Sequence, residues 1–452
     1  MHHLPLTDAT TAWPLVPPDA AGLDIGAARI GACVPVDRDP IPVRPFGPFT
    51  PDLNARADWL VACQITTVAM ASTGVYGIPI SDLLEARGLQ AVLVNAHHLK
   101  IVPGRKRDVQ DCQWIQRRQT YGLLQGSFRP TAELSVLRAY TRQRATLLEQ
   151  RAVHSQLMHK ALPQMNLQLT QVVRDITGLT GMQIIRAIVA GDRDPVGLAQ
   201  CRHPRCHRSQ ETIATALTGQ YRAAHGFALT QALTLYDCYT TPIAACDQQI
   251  AQQYAAMQPV WDDDDPPPPL PPDPKTTTHR KHAPACDVRH ELHQLLGIDL
   301  TAVDGLHAHT AQIILSEIGA DMGKWPTEKH FCSWLGVAPQ NDITGGRVVR
   351  SRTLRVWNRA GQALRMAAQS LSRSQTALGA FYRRIRARAG PKCAVTATAH
   401  KLARIIYHML KYHQPYAPVS AETDEQQQRD RAVRQLERRA AHLGFTLAPQ
   451  PG

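Results

Sequence analysis

Two aspartates three residues apart, Asp108 and Asp111, follow an apolar, strand-like run at residues 91–94. On a helix, this spacing places both carboxylates on the same face. Carboxylate oxygens bind magnesium, and the neighbouring Arg105 and Lys106 can bind a phosphodiester, so the stretch predicts phosphodiester chemistry. The spacing alone is also compatible with an ordinary solvated helix face.

A third acid, Asp24, lies inside an apolar run that begins at Gly22 and predicts a strand, a turn at Gly26 and a second strand. A carboxylate in such a strand is costly unless it has a partner or a metal. A strand-borne acid followed by acids from a later helix is typical of the RNase H-like, or RuvC-like, nuclease plan. The sequence therefore predicts that Asp24, Asp108 and Asp111 form one site.

Six stretches carry a resemblance to a known family. They are GLDIG from residue 22, VAMASTGVYGIPI from 68, LVNAHHLKIVPGRKRDVQDCQWI from 93, YGLLQGSFRP from 121, LSEIGADMGKWPTEKHFCSWLGVAPQNDITGGRVVRSRT from 315 and TATAHKLARIIYHML from 396. In this order they resemble the DEDD-type insertion-sequence transposases, which are related to the Piv DNA invertase.

The resemblance implies a DNA transposase that recombines element ends and target DNA, guided by a structured RNA from the element's flank. It implies a RuvC-like domain whose acids hold Mg²⁺, and a C-terminal serine that attacks the phosphate and becomes covalently linked to DNA. It also implies a homo-oligomer, a dimer or tetramer, acting at the bacterial nucleoid in the cytoplasm.

Two positions depart from the family pattern. Ala71 stands where the family has a glutamate in Met-Glu-Ser-Thr-Gly, and Thr344 stands where it has the nucleophilic serine before a glycine pair. A methyl group cannot bind magnesium. Threonine keeps a hydroxyl, but its extra methyl restricts the rotamer and hinders attack. The chain is thus either a working recombinase or a catalytically impaired nucleic-acid-binding relative. A simple RuvC-like nuclease is a third, less favoured alternative.

The charge of the chain indicates a polyanionic partner. The formal net charge is +13, and no Asp or Glu occurs between Arg347 and Ala421. A long run of one charge sign is unfavourable unless a polyanion neutralises it, so this stretch predicts nucleic-acid contact. The residues predicted to bind nucleic acid are Arg105, Lys106, Arg347, Arg350, Arg352, Arg355 and Arg359.

Composition shifts predict the organisation of the chain. The predicted segments are a loose tail at 1–20, a RuvC-like α/β domain at 21–130, a helical or coiled-coil region at 131–260, an acidic and proline-rich linker at 261–284, a mainly helical transposase domain at 285–415 and a charged helical tail at 416–452. The predicted fold class is therefore an α/β RNase H-like domain with a long helical insert, followed by a mainly α-helical domain.

Several classes are disfavoured. Ten cysteines without framework spacing do not predict a disulfide scaffold, and no apolar run is long enough to predict a membrane span. No Walker loop is present, so the sequence does not predict ATP use. Cys201, His203, Cys206 and His207 could ligate zinc, but the second pair of ligands usual in structural sites is missing. A turn between helices is therefore the favoured interpretation.

Overall fold

A computed structural model describes residues 16–72, 76–94, 108–124, 126–261, 266–272, 282–353, 358–418 and 420–448. The chain divides into two compact units, Met1–Arg129 and Pro130–Gly452. The first is mixed α/β, and the second is mainly helical. This broad division confirms the predicted order of an α/β region followed by a helical one.

The first unit contains a five-stranded sheet of order β3-β2-β1-β4-β5. Its strands are β1 Ala20–Ile25, β2 Ile30–Cys33, β3 Val43–Phe46, β4 Thr67–Ser72 and β5 Gln90–Val94. The central strand β1 pairs antiparallel with β2 and parallel with β4, and β4 pairs parallel with β5. The mixed pairing brings strands that are distant in sequence next to β1.

Helices cover both faces of this sheet. They are α1 Thr50–Ala62, α2 Gly77–Ala86 and α3 Asp108–Thr120. Because side chains alternate along a strand, Leu23 and Met70 pack with Leu60 and other residues of α1 and α2. Ala69 and Ala71 belong to a separate apolar cluster that includes Ile115 of α3. The two clusters identify α3 as the helix on the face that carries Ala71.

Two details of the sheet differ from the sequence-based expectation. The predicted second strand, residues 30–36, ends at Cys33, because Pro35 has no N–H with which to continue the ladder. Strand β3 was not predicted, because it contains Pro45. It lies at the sheet edge, where a missing N–H costs no ladder bond.

The second unit consists of thirteen described α-helical ranges, two short 3₁₀ turns and one β-ribbon. The range Ala377–Tyr412 comprises two helices that meet at Gly390, whose φ of 83° and ψ of 172° are not helical. The helices are α4 Ala132–Gln164, α5 Leu169–Val172, α6 Leu179–Ala190, α7 Pro195–Gln200, α8 Gln210–Leu217, α9 Ala223–Cys238, α10 Thr240–Ala256, α11 Val288–Leu296, α12 Ala308–Ile318, α13 Glu328–Trp334, α14 Arg359–Ser370, α15 Ala377–Tyr412 and α16 Ala421–His442. The ribbon strands are β6 Pro339–Thr344 and β7 Arg347–Thr353.

Contacts within the second unit join its early and late helices. Arg142 of α4 donates to both carboxylate oxygens of the buried Glu317 of α12, at 2.8 and 2.7 Å. Arg144 of α4 pairs with Asp247 of α10. At the start of the proline-rich segment, the indole Nε1 of Trp261 donates to the carbonyl of Gln294 at 2.6 Å. The finer division into six segments stays a prediction.

In the part of the chain that the structure describes, no helix combines the length and apolar character required to cross a bilayer.

Candidate active site and nucleic-acid interface

Asp24 and Ala71 are direct neighbours in the sheet. The parallel pairing of β1 with β4 places Asp24 opposite Ala71, and β5 continues the row with Val94 opposite Ala71. Paired residues in adjacent strands present their side chains to the same face. Ala71, the position at which the resemblance predicts a glutamate, therefore lies beside Asp24 on one face of the sheet.

Helix α3 approaches this face closely at Gly22. A Cβ at Gly22 would overlap the carbonyl oxygen of Cys112 and the amide nitrogen of Gln116. Gly22 and Asp24 are two residues apart and therefore share a face, so Asp24 lies on the side of β1 that α3 covers. Only glycine permits this close packing.

Electrostatics also places Asp24 near α3. The pKa of the Cys112 thiol is lowered, mainly because the thiol of Cys33 donates a hydrogen bond to it, while the negative charge of Asp24 acts in the opposite direction. Cys112 follows Asp111, which is exposed. Helix α3 begins at Asp108, but the Asp108 side chain lies outside the described residues. We call Asp24 and Ala71, on the sheet face that α3 covers, the carboxylate site.

Ala71 contributes an apolar surface to this site. It is 6% exposed and packs in the cluster with Ala69, Val94 and Ile115. Asp24 and Asp111 carry the hard oxygen atoms that Mg²⁺ prefers, and magnesium sites in proteins use few carboxylates together with water or substrate phosphate. The donor types of these two residues fit magnesium, whereas the Ala71 methyl offers no oxygen atom.

Thr344 lies at the tip of the β6–β7 ribbon. It pairs with Arg347, and Gly345 and Gly346 form the turn between them with φ of 56° and 75°. Positive φ at both central residues is the geometry of a type I′ hairpin turn, which glycine adopts without steric cost. The turn leaves Thr344 exposed to solvent.

A β-bulge determines which side chains share the face of Thr344. Asp342 pairs with Arg350 while Ile343 pairs with Val348, so Val349 is an extra residue in β7. In a regular strand, Arg347 and Arg350 would point to opposite faces. The bulge restores them to one face, which we call the arginine face and define as Gln340, Asp342, Thr344, Arg347, Arg350 and Arg352.

Of the other residues predicted to contact nucleic acid, the structure describes one, Arg359. Arg359 is exposed at the first position of α14, after the Asn358 cap, whose side-chain oxygen accepts from the Gly361 N–H at 3.0 Å. Arg105, Lys106 and Arg355 lie outside the described residues, so their predicted roles stay predictions.

Part of the basic run has structural roles. Arg365 donates to the carbonyl of Gly336 at 2.7 Å, and burial lowers its pKa. Arg404 pairs with Glu328 at 2.8 Å, and Arg383 donates to the carbonyl of Ser374. The uniform charge sign of the run therefore does not mean that every cation faces a polyanion.

The Cys201–His207 stretch forms a loop between α7 and α8. The backbone N–H of Arg205 donates to Nδ1 of His203 at 3.2 Å, and Cys206 packs against the helical core. Among the residues whose placement is described, no group of three or more His, Cys, Asp or Glu side chains is arranged to hold a metal. The stretch connects two helices, as the favoured interpretation predicted.

Sequence reasoning missed an aromatic and basic face on α3. The guanidinium of Arg118 lies 4.6 Å from the ring centroid of Trp114, and Tyr121 follows one turn further. The spacing Trp114, Arg118, Tyr121 is the helical signal that could have found it. Aromatic and arginine side chains together are suited to contact with nucleic-acid bases.

Two family models match the chain on either side of the central helices. A DEDD transposase model of the IS110 type, described as Transposase, matches residues 21–167. A second, described as Transposase IS116/IS110/IS902 family, matches residues 299–383. Their ranges include the carboxylate site and Thr344, respectively, and together cover slightly more than half of the chain.

These matches define a transposase, a class of DNA-processing enzyme that binds DNA. The chain belongs to the IS110 family of transposases. No curated protein sequence matches it significantly.

Proposed function

We propose that this chain is a magnesium-dependent recombinase that cleaves and rejoins DNA through a covalent bond to Thr344. The observation that carries the proposal is the register of Asp24 beside Ala71 on the sheet face covered by α3. The strand order β3-β2-β1-β4-β5 supports an RNase H-like, RuvC-like assignment of the first unit. RNA guidance, a dimeric or tetrameric assembly and a nucleoid location follow from the family resemblance and belong to the same proposal.

Asp24, Asp111 and Asp108 would hold the ion in this mechanism. A bound Mg²⁺ would supply Lewis acidity to the phosphoryl oxygens of the DNA. The Thr344 hydroxyl attacks phosphorus, a P–O bond to Thr344 forms, and the bond to one deoxyribose oxygen breaks. The hydroxyl proton passes to solvent, and the departing oxygen is protonated. Arg347 and Arg350, on the face of Thr344, stabilise the charge that develops on the phosphate.

A specific observation favours a second candidate, a nucleic-acid-binding family member with impaired catalysis. The Ala71 methyl packs against apolar neighbours at the position where the family has a ligand oxygen. Such a protein would retain the basic surfaces and lose strand cleavage.

The test is protein–DNA adduct formation on a denaturing gel, with magnesium, flanking RNA and labelled end and target DNA. The unchanged chain is compared with Ala71→Glu, Thr344→Ser and the double variant, and Thr344→Val is the matched control without a hydroxyl. We expect an adduct with the unchanged chain and none with Thr344→Val. If an adduct forms only with Ala71→Glu, Thr344→Ser or the double variant, the chain is the catalytically impaired relative. If no form of the chain gives an adduct, the roles assigned to positions 71 and 344 are contradicted.

A further inference from the structure

A basic cleft lies between the two matched ranges, within residues 168–298, which neither family model covers. The cleft has a volume of about 660 Å³ and is bounded by α5, the N-terminus of α6 and the loop at 201–209. This volume lies within the range of roughly 300–1,000 Å³ usual for small-ligand sites. Its lining includes Arg174, Leu179, His203, Arg205, His207 and Arg208.

The loop that forms one wall is held by its own hydrogen bonds. Arg202 donates to the carbonyls of Arg208 at 2.7 Å and Cys206 at 2.6 Å. The backbone N–H of His203 donates to the hydroxyl of Thr180 at 3.1 Å, which ties the loop to the first turn of α6. These bonds fix the loop while the Arg205 and Arg208 side chains stay exposed.

The cleft is strongly positive. No acid occurs between Cys201 and Ser209, and in the described part of the chain no carboxylate forms an ion pair with Arg174, Arg205 or Arg208. The acid of the cleft, Asp175, accepts from the N–H and hydroxyl of Thr177, both at 2.9 Å. Helix α6 adds the positive end of its dipole, and its N-cap, Gly178, makes no side-chain capping hydrogen bond.

One wall of the same cleft is apolar. Leu179 is 68% exposed at the mouth, and Val172 and Val173 also line the cleft. Arginines beside an exposed apolar surface match the two parts of a nucleotide, because the cations bind phosphate and the apolar wall packs against a base. An acidic peptide would use the cations but would not need this wall.

We propose that this cleft binds an unpaired nucleotide of a nucleic-acid strand. Its phosphate contacts Arg174, Arg205 and Arg208, and its base packs on Leu179. The site goes beyond strand cleavage and relies on the proposed function only for the nature of the partner. It gives the central helices a binding role that is separate from the carboxylate site and the ribbon.

The experiment measures fluorescence anisotropy of a labelled short oligouridylate with the full-length protein over a series of salt concentrations. The test variant is Arg174→Ala/Arg205→Ala/Arg208→Ala. The control is Arg429→Ala/Arg431→Ala/Arg434→Ala, which removes the same charge from exposed positions of α16. We expect the test variant to bind about tenfold more weakly than the control, and its salt slope to be smaller by about 1, because the contact with one phosphate is lost.

A second variant, Leu179→Ser, removes the apolar wall without adding charge, at a position that is 68% exposed. It should weaken binding of the oligouridylate more than binding of a blunt duplex of the same length. The proposal is overturned if the two triple variants bind the oligouridylate equally well. It is also overturned if the change at Leu179 weakens duplex binding as much as single-strand binding. If uridine monophosphate displaces the oligouridylate at a concentration similar to that of unlabelled oligouridylate, the cleft is a site for free nucleotides instead.

The adduct assay separates this proposal from the proposed function. If the cleft variants lose strand binding while no form of the chain gives an adduct, the cleft stands and the catalytic assignment fails. If an adduct forms and the cleft variants bind like their control, the catalytic assignment stands and the cleft proposal fails.

Discussion

The carboxylate site and the arginine face are built in opposite ways. The carboxylate site lies on a five-stranded sheet under a closely packed helix, with Asp24 partly buried and Ala71 in an apolar cluster. The arginine face lies on a two-stranded ribbon whose strands are exposed almost throughout. A two-stranded ribbon has little stability of its own in water. The carboxylate site is therefore preorganised by its packing, whereas the ribbon that carries Thr344 has few packing contacts to fix its position.

The largest expected effect is on the packing of α3. Gly22→Ala should destabilise the first unit by about 3 kcal/mol, because the new methyl would overlap the backbone of Cys112 and Gln116. Thermal unfolding measures the change. The control is Gly226→Ala, where a Cβ meets nothing within 4 Å, so its effect should stay within about 1 kcal/mol. Equal midpoints for the two variants would refute the close approach of α3.

Restoring the family acid should make stability depend on magnesium. Without the ion, Ala71→Glu should cost about 2 kcal/mol, because a buried carboxylate would lie beside Asp24. Magnesium should recover that loss, because it binds only the folded form. Ala71→Gln has a similar volume and no charge, so it should show little recovery. Thermal shift with and without magnesium tests this, and identical magnesium responses of the two variants would contradict a shared metal site.

Changes at the ribbon turn should act locally. Gly345→Ala and Gly346→Ala should each cost about 1–2 kcal/mol of hairpin stability, because both residues have positive φ. Hydrogen exchange of the ribbon amides should accelerate, while the global unfolding midpoint stays constant. If the global midpoint falls as far as in Gly22→Ala, the ribbon unfolds together with the core. That result would contradict the contrast drawn above between the packed carboxylate site and the exposed ribbon.

The smallest expected effect comes from moving one arginine off the arginine face. The double change Ser351→Arg/Arg352→Ser keeps the net charge and moves one cation to the opposite face of β7. DNA affinity should fall several-fold, and the salt slope should decrease by about 1 as one phosphate contact is lost. Filter binding at several salt concentrations measures both values. An unchanged slope would mean that charge alone, irrespective of face, governs binding.

Local patterns were sufficient to predict part of this arrangement. The strand that carries Asp24 and the helix with Asp111 were predicted from apolar runs and spacing. The predicted helix was Val109–Gln119, and α3 extends one residue further at each end. The pairing of Asp24 with Ala71 joins strands separated by more than forty residues, so no local pattern contains it. The bond between Arg142 and Glu317 spans an even longer separation and depends on how the helices pack.

The bulge at Val349 has a consequence for how the ribbon tolerates change. Deleting Val349 would leave the pairs Asp342–Arg350 and Ile343–Val348 in place and would only straighten the strand. Inserting a residue between Arg350 and Arg352 would move one of them across the ribbon. Whether an arginine of β7 shares the face of Thr344 therefore depends on whether the number of residues between them is odd or even, and on the bulge that shifts this count by one.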